Sequence, residues 1–595
     1  MTTIAETALP AAAQPAELWQ SVADVTRAWL AERGVDAADA VVLLPFADLL
    51  APARRAFGHT AQWLPRLHTP RTLATALGPP RPRAAGELTG DSAIDSATAR
   101  AMLRGHAWAA QWLQRDPHAF DAALQRLMRT AHTLCHGAAA RHPSERAAWW
   151  DLARQHAVGG RGPGSTHRLL LRVAIEWAAL SDAADTDRLF EHRPSAWVVV
   201  TLGGSDLLAQ GVLQHAHAHG IPTLHLTADP ADLDPMTEWQ EHCVFELSHA
   251  ADAETEAMAT AWQVADHLRR GDAPLALIAQ DRAVVRRVRA LLERMRVNVV
   301  DETGWSLSTT RAGAHAIAAL RAARSRAPSD DILDWLKADL GDARAADLAT
   351  LETLWRGQRV NDAQRRARAH ALWQHEQARL EAFANPRRRA LGPWLRALDA
   401  LLFDATHADI WRDDAAAVQL RQALRLQQWD TSDGAWQAAA ATLMSLDEFA
   451  TWIEATLEEA TFVPPAAAAS ASVVITPLSR AIGRAFACAV LPGADAQHLG
   501  PLPAETTLLD DSLRRALGLP DRAARQRRAA LSFVHLLRLP KVVALHRRAD
   551  ADEMLPVSPW IERLRLARRE RGAPAVLERE AAWPQREVQP VAMQR

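Results

Sequence analysis

The chain has 595 residues, too many for one hydrophobic core, and its 49% hydrophobic content is ample for roughly three or four packed domains. A formal net charge of −2 excludes a global electrostatic pull towards nucleic acid, so any such contact must come from local basic clusters. Cys135, Cys243 and Cys488 are odd in number, far apart and never in a C-x-x-C, which argues against a disulfide framework, a thiolate zinc site or an iron–sulfur cluster.

Lys337 and Lys541 are the only lysines, so nearly every basic residue is arginine, and tyrosine is absent. A high-GC genome accounts for that skew. It still has a physical consequence, because arginine forks grip phosphate bidentately and stack on bases. No apolar run reaches about 18 residues, so no transmembrane span is expected. The N-terminal MTTIAETALPAAAQPAELW lacks the basic and apolar regions of a signal peptide. A reducing, cytoplasmic setting is the expectation.

In chain order, residues 1–15 are rich in Ala and Pro and predict disorder. A helix follows over Ala16–Arg33. AVVLL at Ala40–Leu44 predicts a buried strand, with a helix in ADLLAPARRAF after it. Pro79–Ser96 predicts a loop. From Ala97 to about Leu180 apolar residues recur at three and four, as on amphipathic helices. AWVVVTL, LLAQGVLQHAHAHG and IPTLHLT then predict strand, helix and strand. Ala251–Gly271 predicts a helix stopped by Gly271. LALIA at Leu275–Ala279 predicts a strand, and Arg282–Arg296 a basic helix. Residues 312–460 predict helices anchored by Trp335, Trp355, Trp373, Trp394 and Trp411. PPAAAASAS at Pro464–Ser472 predicts a linker. Val473–Thr476, Ala487–Leu491 and Val542–Leu545 predict short strands, and the stretch from Arg563 to Arg595 a linker-like tail.

The layout is therefore two α/β domains, each interrupted by helices. The first comprises residues 16–90 and 186–250 around a helical insertion at 91–185. The second comprises 251–311 and 466–562 around an insertion at 312–465, before the tail at 563–595.

Several segments carry motif character in a fixed order. They are VLLPFADLLAPARRAF with WLPRLHTPRTLA, AWVVVTLGGSDLLAQGVLQHA, ALIAQDRAVVRRV, PLSRAIGRAF with VLPGA, LRRALGLP, and SPWIERL. Each is weak alone. Together, over about residues 40–565, they make the chain resemble the AddB subunit of the AddAB-type bacterial helicase–nucleases, which process double-strand DNA breaks. The resemblance implies a fold of two RecA-like, superfamily-one helicase-type domains, each with a mostly helical insertion. It implies an AddA-type partner that supplies ATP hydrolysis and translocation, and DNA, as duplex ends or single strand, as the other partner.

The sequence departs from the family where chemistry would lie. The family's C-terminal nuclease needs carboxylates and a lysine to hold Mg²⁺, and the chain stops at Arg595 before any such motif. The cysteines of the family's iron–sulfur cluster are missing. No G-x-x-x-x-G-K-[ST] loop occurs. The nearest approach, GGRGPGST at Gly159–Thr166, has Ser165 in place of the lysine and follows a helical segment. The strand unit that should end in Mg²⁺-holding acids ends in TLGGS, where Asp206 reads as a helix N-cap. Ser479 stands where AddB proteins often place Glu, and the final arginine motif is eroded around Arg525–Arg538. No ATPase activity, no catalytic residue, no metal and no cofactor are expected of this chain.

The candidate DNA contacts are Arg282, Arg286 and Arg287 on the helix after a strand, Thr476, Arg480 and Arg484 in the strand–loop, and Arg547 and Arg548 after the last strand. Ligands of α/β proteins normally sit at such strand ends. The bland alternative for each arginine is a solvated surface charge. Trp305 can be read as a base-stacking side chain or as core. His215, His217 and His219 alternate along a helix and cannot all share one face. His132 and His136 have no carboxylate to complete an HExxH. The rival reading of the whole chain is a protein-interaction module that stabilises the motor without touching DNA.

Overall fold

Short, continuously apolar runs become the strands of two parallel sheets. The computed structural model describes the chain apart from residues 1–3, 5, 10–13, 60–62, 158–163, 182, 231–242, 340–343, 385–386, 404–410, 412, 428–432, 466–471, 552 and 583–595. The loop at 159–166 and the linker at 464–472 thus lie mostly outside the described residues. The first sheet contains β1 (Glu6–Ala8), β2 (Ala40–Leu43), β3 (Arg66–His68), β4 (Ala196–Thr201) and β5 (Thr223–Thr227), in the order β1-β5-β4-β2-β3. The second contains β6 (Val244–Ala250), β7 (Leu275–Ile278), β8 (Val299–Asp301), β9 (Val473–Thr476), β10 (Cys488–Leu491), β11 (Lys541–Arg547) and β12 (Leu577–Glu580), in the order β12-β6-β11-β10-β7-β9-β8. Val42 lies between Leu67 and Val198, and Ala276 between Val474 and Ala489. β2, β4, β7, β9 and β10 are buried at every position, as a parallel sheet covered on both faces requires.

Three segments depart from the sequence expectation. Val244–Ala250 falls in the stretch assigned to the first α/β domain, yet it pairs with β11 of the second sheet. Its apolar run is broken by Glu246, which is buried because Lys541 on β11 reaches it at 2.9 Å. The tail from Arg563 is not a bare linker: its start completes the helix Pro559–Glu570, where Leu564 and Ala567 are buried, and Leu577–Glu580 adds a parallel edge strand. Glu6–Ala8, inside the stretch expected to be disordered, pairs with β5. Both edge strands are exposed and charged, a composition that keeps sheet edges from pairing further and hides them in a sequence.

Both expected insertions are rich in helices, and the first helix begins at Ser92, capped by Asp91, inside the expected Pro79–Ser96 loop. Trp335, Trp394 and Trp411 are buried in the second insertion, whereas Trp355 and Trp373 are half-buried and meet edge to face. The insertions are not self-contained. Leu508, Leu513, Leu517 and Leu519, between β10 and β11, pack into the core of the first insertion with Trp149 and Leu127. Ala93, Ile94 and Ala97 of the first insertion pack into the core of the second, where Trp452 Nε1 donates to the Ala93 carbonyl.

Candidate functional site

The strand order of the first sheet reverses between β2 and β4, and the crevice outside such a reversal is where α/β sheets bind ligands. Here Ile482 and Gly483 fill it. They follow β9, so they come from the other sheet. Gly203, at φ +75°, lies so close to them that a Cβ would stand 2.4 Å from Ile482 Cδ1. A Cβ on Gly483, at φ +70°, would stand 2.5 Å from Leu202 Cδ2. Trp19 Nε1 donates to the Gly483 carbonyl at 2.7 Å. Charge flanks this apolar closure. Arg480 pairs with Asp48 at 2.8 Å, and Arg484 grips Glu302 with both terminal nitrogens, at 2.8 and 2.9 Å.

Beyond β4 and β5, the amides of Gly203 and Gly204 point together. Paired amides of this kind bind anions. Their acceptor is the chain's own Asp229 carboxylate, at 2.6 and 2.7 Å. His535 of the Arg522–Leu536 helix meets the same carboxylate at 2.7 Å. Burial opposes ionisation of Asp229, but the hydrogen bond and charge of His535 and the two amides outweigh it and hold the carboxyl below its ordinary range. Burial pushes the His535 imidazole down. Thus an ionised carboxylate, hydrogen-bonded to the buried His535 imidazole, sits where anion-binding amides converge.

An open cavity of about 740 Å³ adjoins this closure at the ends of β1, β4 and β5. Arg515, Arg525, Arg527 and Arg528 line it, together with Gly204, Ser205 and Asp229. Arg527 and Arg528 donate to the carbonyls of Pro230 and Ser205, which are neutral acceptors. Arg525 pairs with Glu505 at 2.8 Å. Arg527 Nη1 is buried without a hydrogen-bond partner among the described residues.

The second sheet reverses between β7 and β10, and its crevice is closed by ions. Arg547, 3% exposed, donates to Asp281 at 2.6 Å and to Asp550 at 3.1 Å, with Glu256 at 3.5 Å. Glu256, fully buried, accepts from the Gly493 amide at 2.7 Å. His498 meets Asp495 at 2.8 Å and Asp281 at 3.4 Å. Burial pushes the Glu256 carboxyl up to about 7, and the Asp495 hydrogen bond raises His498.

The eight predicted contacts are therefore divided. Arg282 and Arg286 are exposed on the Arg282–Arg294 helix and make no ion pair among the described residues. Arg287, beside them, is paired with Glu254, and Arg548 with Glu580. Arg480 and Arg484 come together on Glu302 at the seam between the sheets. Arg547 is inside the ion network. Thr476 is buried, and its hydroxyl has no hydrogen-bond partner among the described residues. Trp305 is half-buried, edge-on to Phe462 and under the Arg289 guanidinium at 4.6 Å. Asp206 caps the Leu207–Ala218 helix by accepting from the Ala209 amide. In sequence, Arg525–Arg538 shows only as an eroded motif. The spacing Arg525, Arg527, Arg528 on one helix was the available signal for the cavity.

The fold and these crevices define a two-sheet parallel α/β protein. No family model matches the chain, and no curated protein sequence matches it. Among the described residues no helix is long and apolar enough to cross a membrane.

Proposed function

We propose that the chain is a motor-inactive, helicase-like DNA-binding scaffold, the AddB-type subunit of a helicase–nuclease that processes double-strand breaks for recombinational repair. In this reading the two sheets are two RecA-like domains, each with its helical insertion, and an AddA-type subunit supplies the motor. The observation that carries the reading is the first-sheet crevice. Its switch point is filled by Ile482 and Gly483, and its convergent amides are taken by Asp229. Beside it lie four arginines, two of them donating to carbonyls rather than to carboxylates among the described residues. That arrangement favours holding a phosphodiester backbone over turning over a nucleotide.

The test is binding of the purified chain to a fluorescent forked DNA end, titrated against salt. Affinity should fall linearly in log–log form, with a slope that counts phosphate contacts. Replacing Arg527 and Arg528 by Gln should lower that slope by about one for each phosphate no longer neutralised, with circular dichroism confirming the fold. A second reading, a partner-stabilising module that never touches DNA, is favoured by one observation: Arg480, Arg484 and Arg547 already satisfy internal carboxylates. Absence of binding at low salt would select it, and co-purification with an AddA-type motor would then decide.

A further inference from the structure

A second cavity, of about 520 Å³, lies between residues 140–145, which lead into the helix Pro143–His156, and the Leu207–Ala218 helix. The latter helix approaches that segment closely enough that a Cβ on Gly211 would stand 1.9 Å from the Ala140 carbonyl oxygen. The approach brings His142 and His215 into a parallel stack, with centroids 4.3 Å apart and planes within 6°. His219 follows at 4.1 Å from His215. Of the three alternating histidines, the helix turn reunites His215 with His219 and sends His217 to Thr223 instead.

Stacked rings are not a ligand set, and among the described residues no group of three or more His, Cys, Asp or Glu could hold a metal ion. Burial, then His142, His219 and Arg193, hold His215 down to about 4, so that ring is neutral near pH 7. The cavity also carries two guanidinium groups. Arg141 donates to the carbonyls of Gly137 and Leu517, and Arg193 to that of Phe190. Among the described residues neither forms an ion pair with a carboxylate, and Glu145 is the only acid in the lining. The volume suits a small ligand, and planar guanidinium forks match the oxygens of a phosphate.

We propose that this cavity binds a phosphate monoester group through Arg141 and Arg193, with the histidine stack as its wall. The cavity shares Leu207 and Gln210 with the arginine-lined cavity at the strand ends, so the two abut. The phosphate can thus be the terminal phosphate of a nucleic-acid strand, a source that rests on the DNA reading above, or a free phosphate or mononucleotide, which does not.

The experiment is calorimetric titration of the full chain with inorganic phosphate, alongside competition between 5′-phosphorylated and 5′-hydroxyl single strands. Saturable one-to-one phosphate binding is expected, weakened about tenfold or more by Arg193→Gln. Arg193 is exposed, so this variant should fold, and Arg359→Gln, exposed in the second insertion, should leave binding unchanged. A phosphorylated strand preferred about tenfold identifies a strand end as the source. Phosphate binding without any strand binding identifies the small ligand, and it sinks the DNA reading while this one stands. No binding of phosphate or of a phosphorylated end, or binding indifferent to Arg193→Gln, overturns the proposal.

Discussion

At the switch point of the first sheet the crevice between β2 and β4 is closed by carbon, with Ile482 and Gly483 seated against Leu202 and Gly203. At that of the second, between β7 and β10, it is closed by charge, with Arg547 among Glu256, Asp281 and Asp550. Apolar contact is short-ranged and tolerant of polarity elsewhere, and it here joins two units of the chain. A buried ion cluster is intolerant of losing any one member, and it here ties β7, β10 and β11 within one sheet. The same topological position can therefore serve as a joint between units or as a lock within one.

If that contrast is right, the two crevices fail differently. The largest effect is expected from Arg547→Met, which removes the guanidinium shared by Glu256, Asp281 and Asp550 and leaves Asp281 with His498 as its ion-pair partner. Breaking a buried ion pair from one side typically costs about 3–5 kcal/mol. Hydrogen exchange should show lower protection in peptides covering β7, β10 and β11, while first-sheet peptides keep theirs. A loss below about 1 kcal/mol would mean that the network does not hold the sheet together. Next in size is Gly203→Val. A β-branched residue at φ +75° and a clash with Ile482 should together cost about 2–4 kcal/mol. Here the damage should appear as faster proteolysis of residues 477–486 with the second sheet still protected. Equal loss in both sheets would show that the crevice is not a joint.

How far the sequence foreshadowed this depends on which force dominates each segment. AVVLL and LALIA are apolar throughout, AWVVVTL and VVIT but for one threonine each, and each forms a strand because only a doubly covered sheet buries such a run. Val244–Ala250 was hidden because Glu246 interrupts its pattern, and the distant Lys541 and Arg579 make that burial tolerable. The edge strands were hidden because they bury almost nothing and are held by backbone ladders and partly exposed ion pairs such as Arg565 with Glu578. At the site, arginine clusters were visible but their partners were not. Nothing near Arg547 in the sequence announces Asp281, 266 residues away, and nothing near Gly203 announces Ile482. Whether an arginine is a free phosphate ligand or one half of an internal pair is decided by tertiary contacts.

The finest distinction between the two crevices is the sign of their response to pH. Glu256 has its folded value raised to about 7 from an ordinary 4.5, so between those values the folded state holds a proton that the unfolded chain has lost. Its contribution is fully present below about pH 4.5 and falls away as pH rises to 7, by up to about 3 kcal/mol at 1.36 kcal/mol per unit. His498, raised by Asp495, has the same sign and loses its contribution as pH rises above its ordinary 6.5. At the first crevice, burial depresses His535, so its contribution is present above pH 6.5 and lost as pH falls. Asp229, held below 3.8, is steady across this window. Between pH 4.5 and 7 the second sheet should therefore weaken with rising pH while the Asp229–His535 seam strengthens. Protection factors corrected for intrinsic exchange would read both slopes in one experiment. Glu256→Gln keeps an acceptor for the Gly493 amide and should flatten the second slope while leaving the first untouched. Parallel slopes in the two sheets, or a slope that survives Glu256→Gln, would show that the charge at β7 and β10 does not govern that crevice.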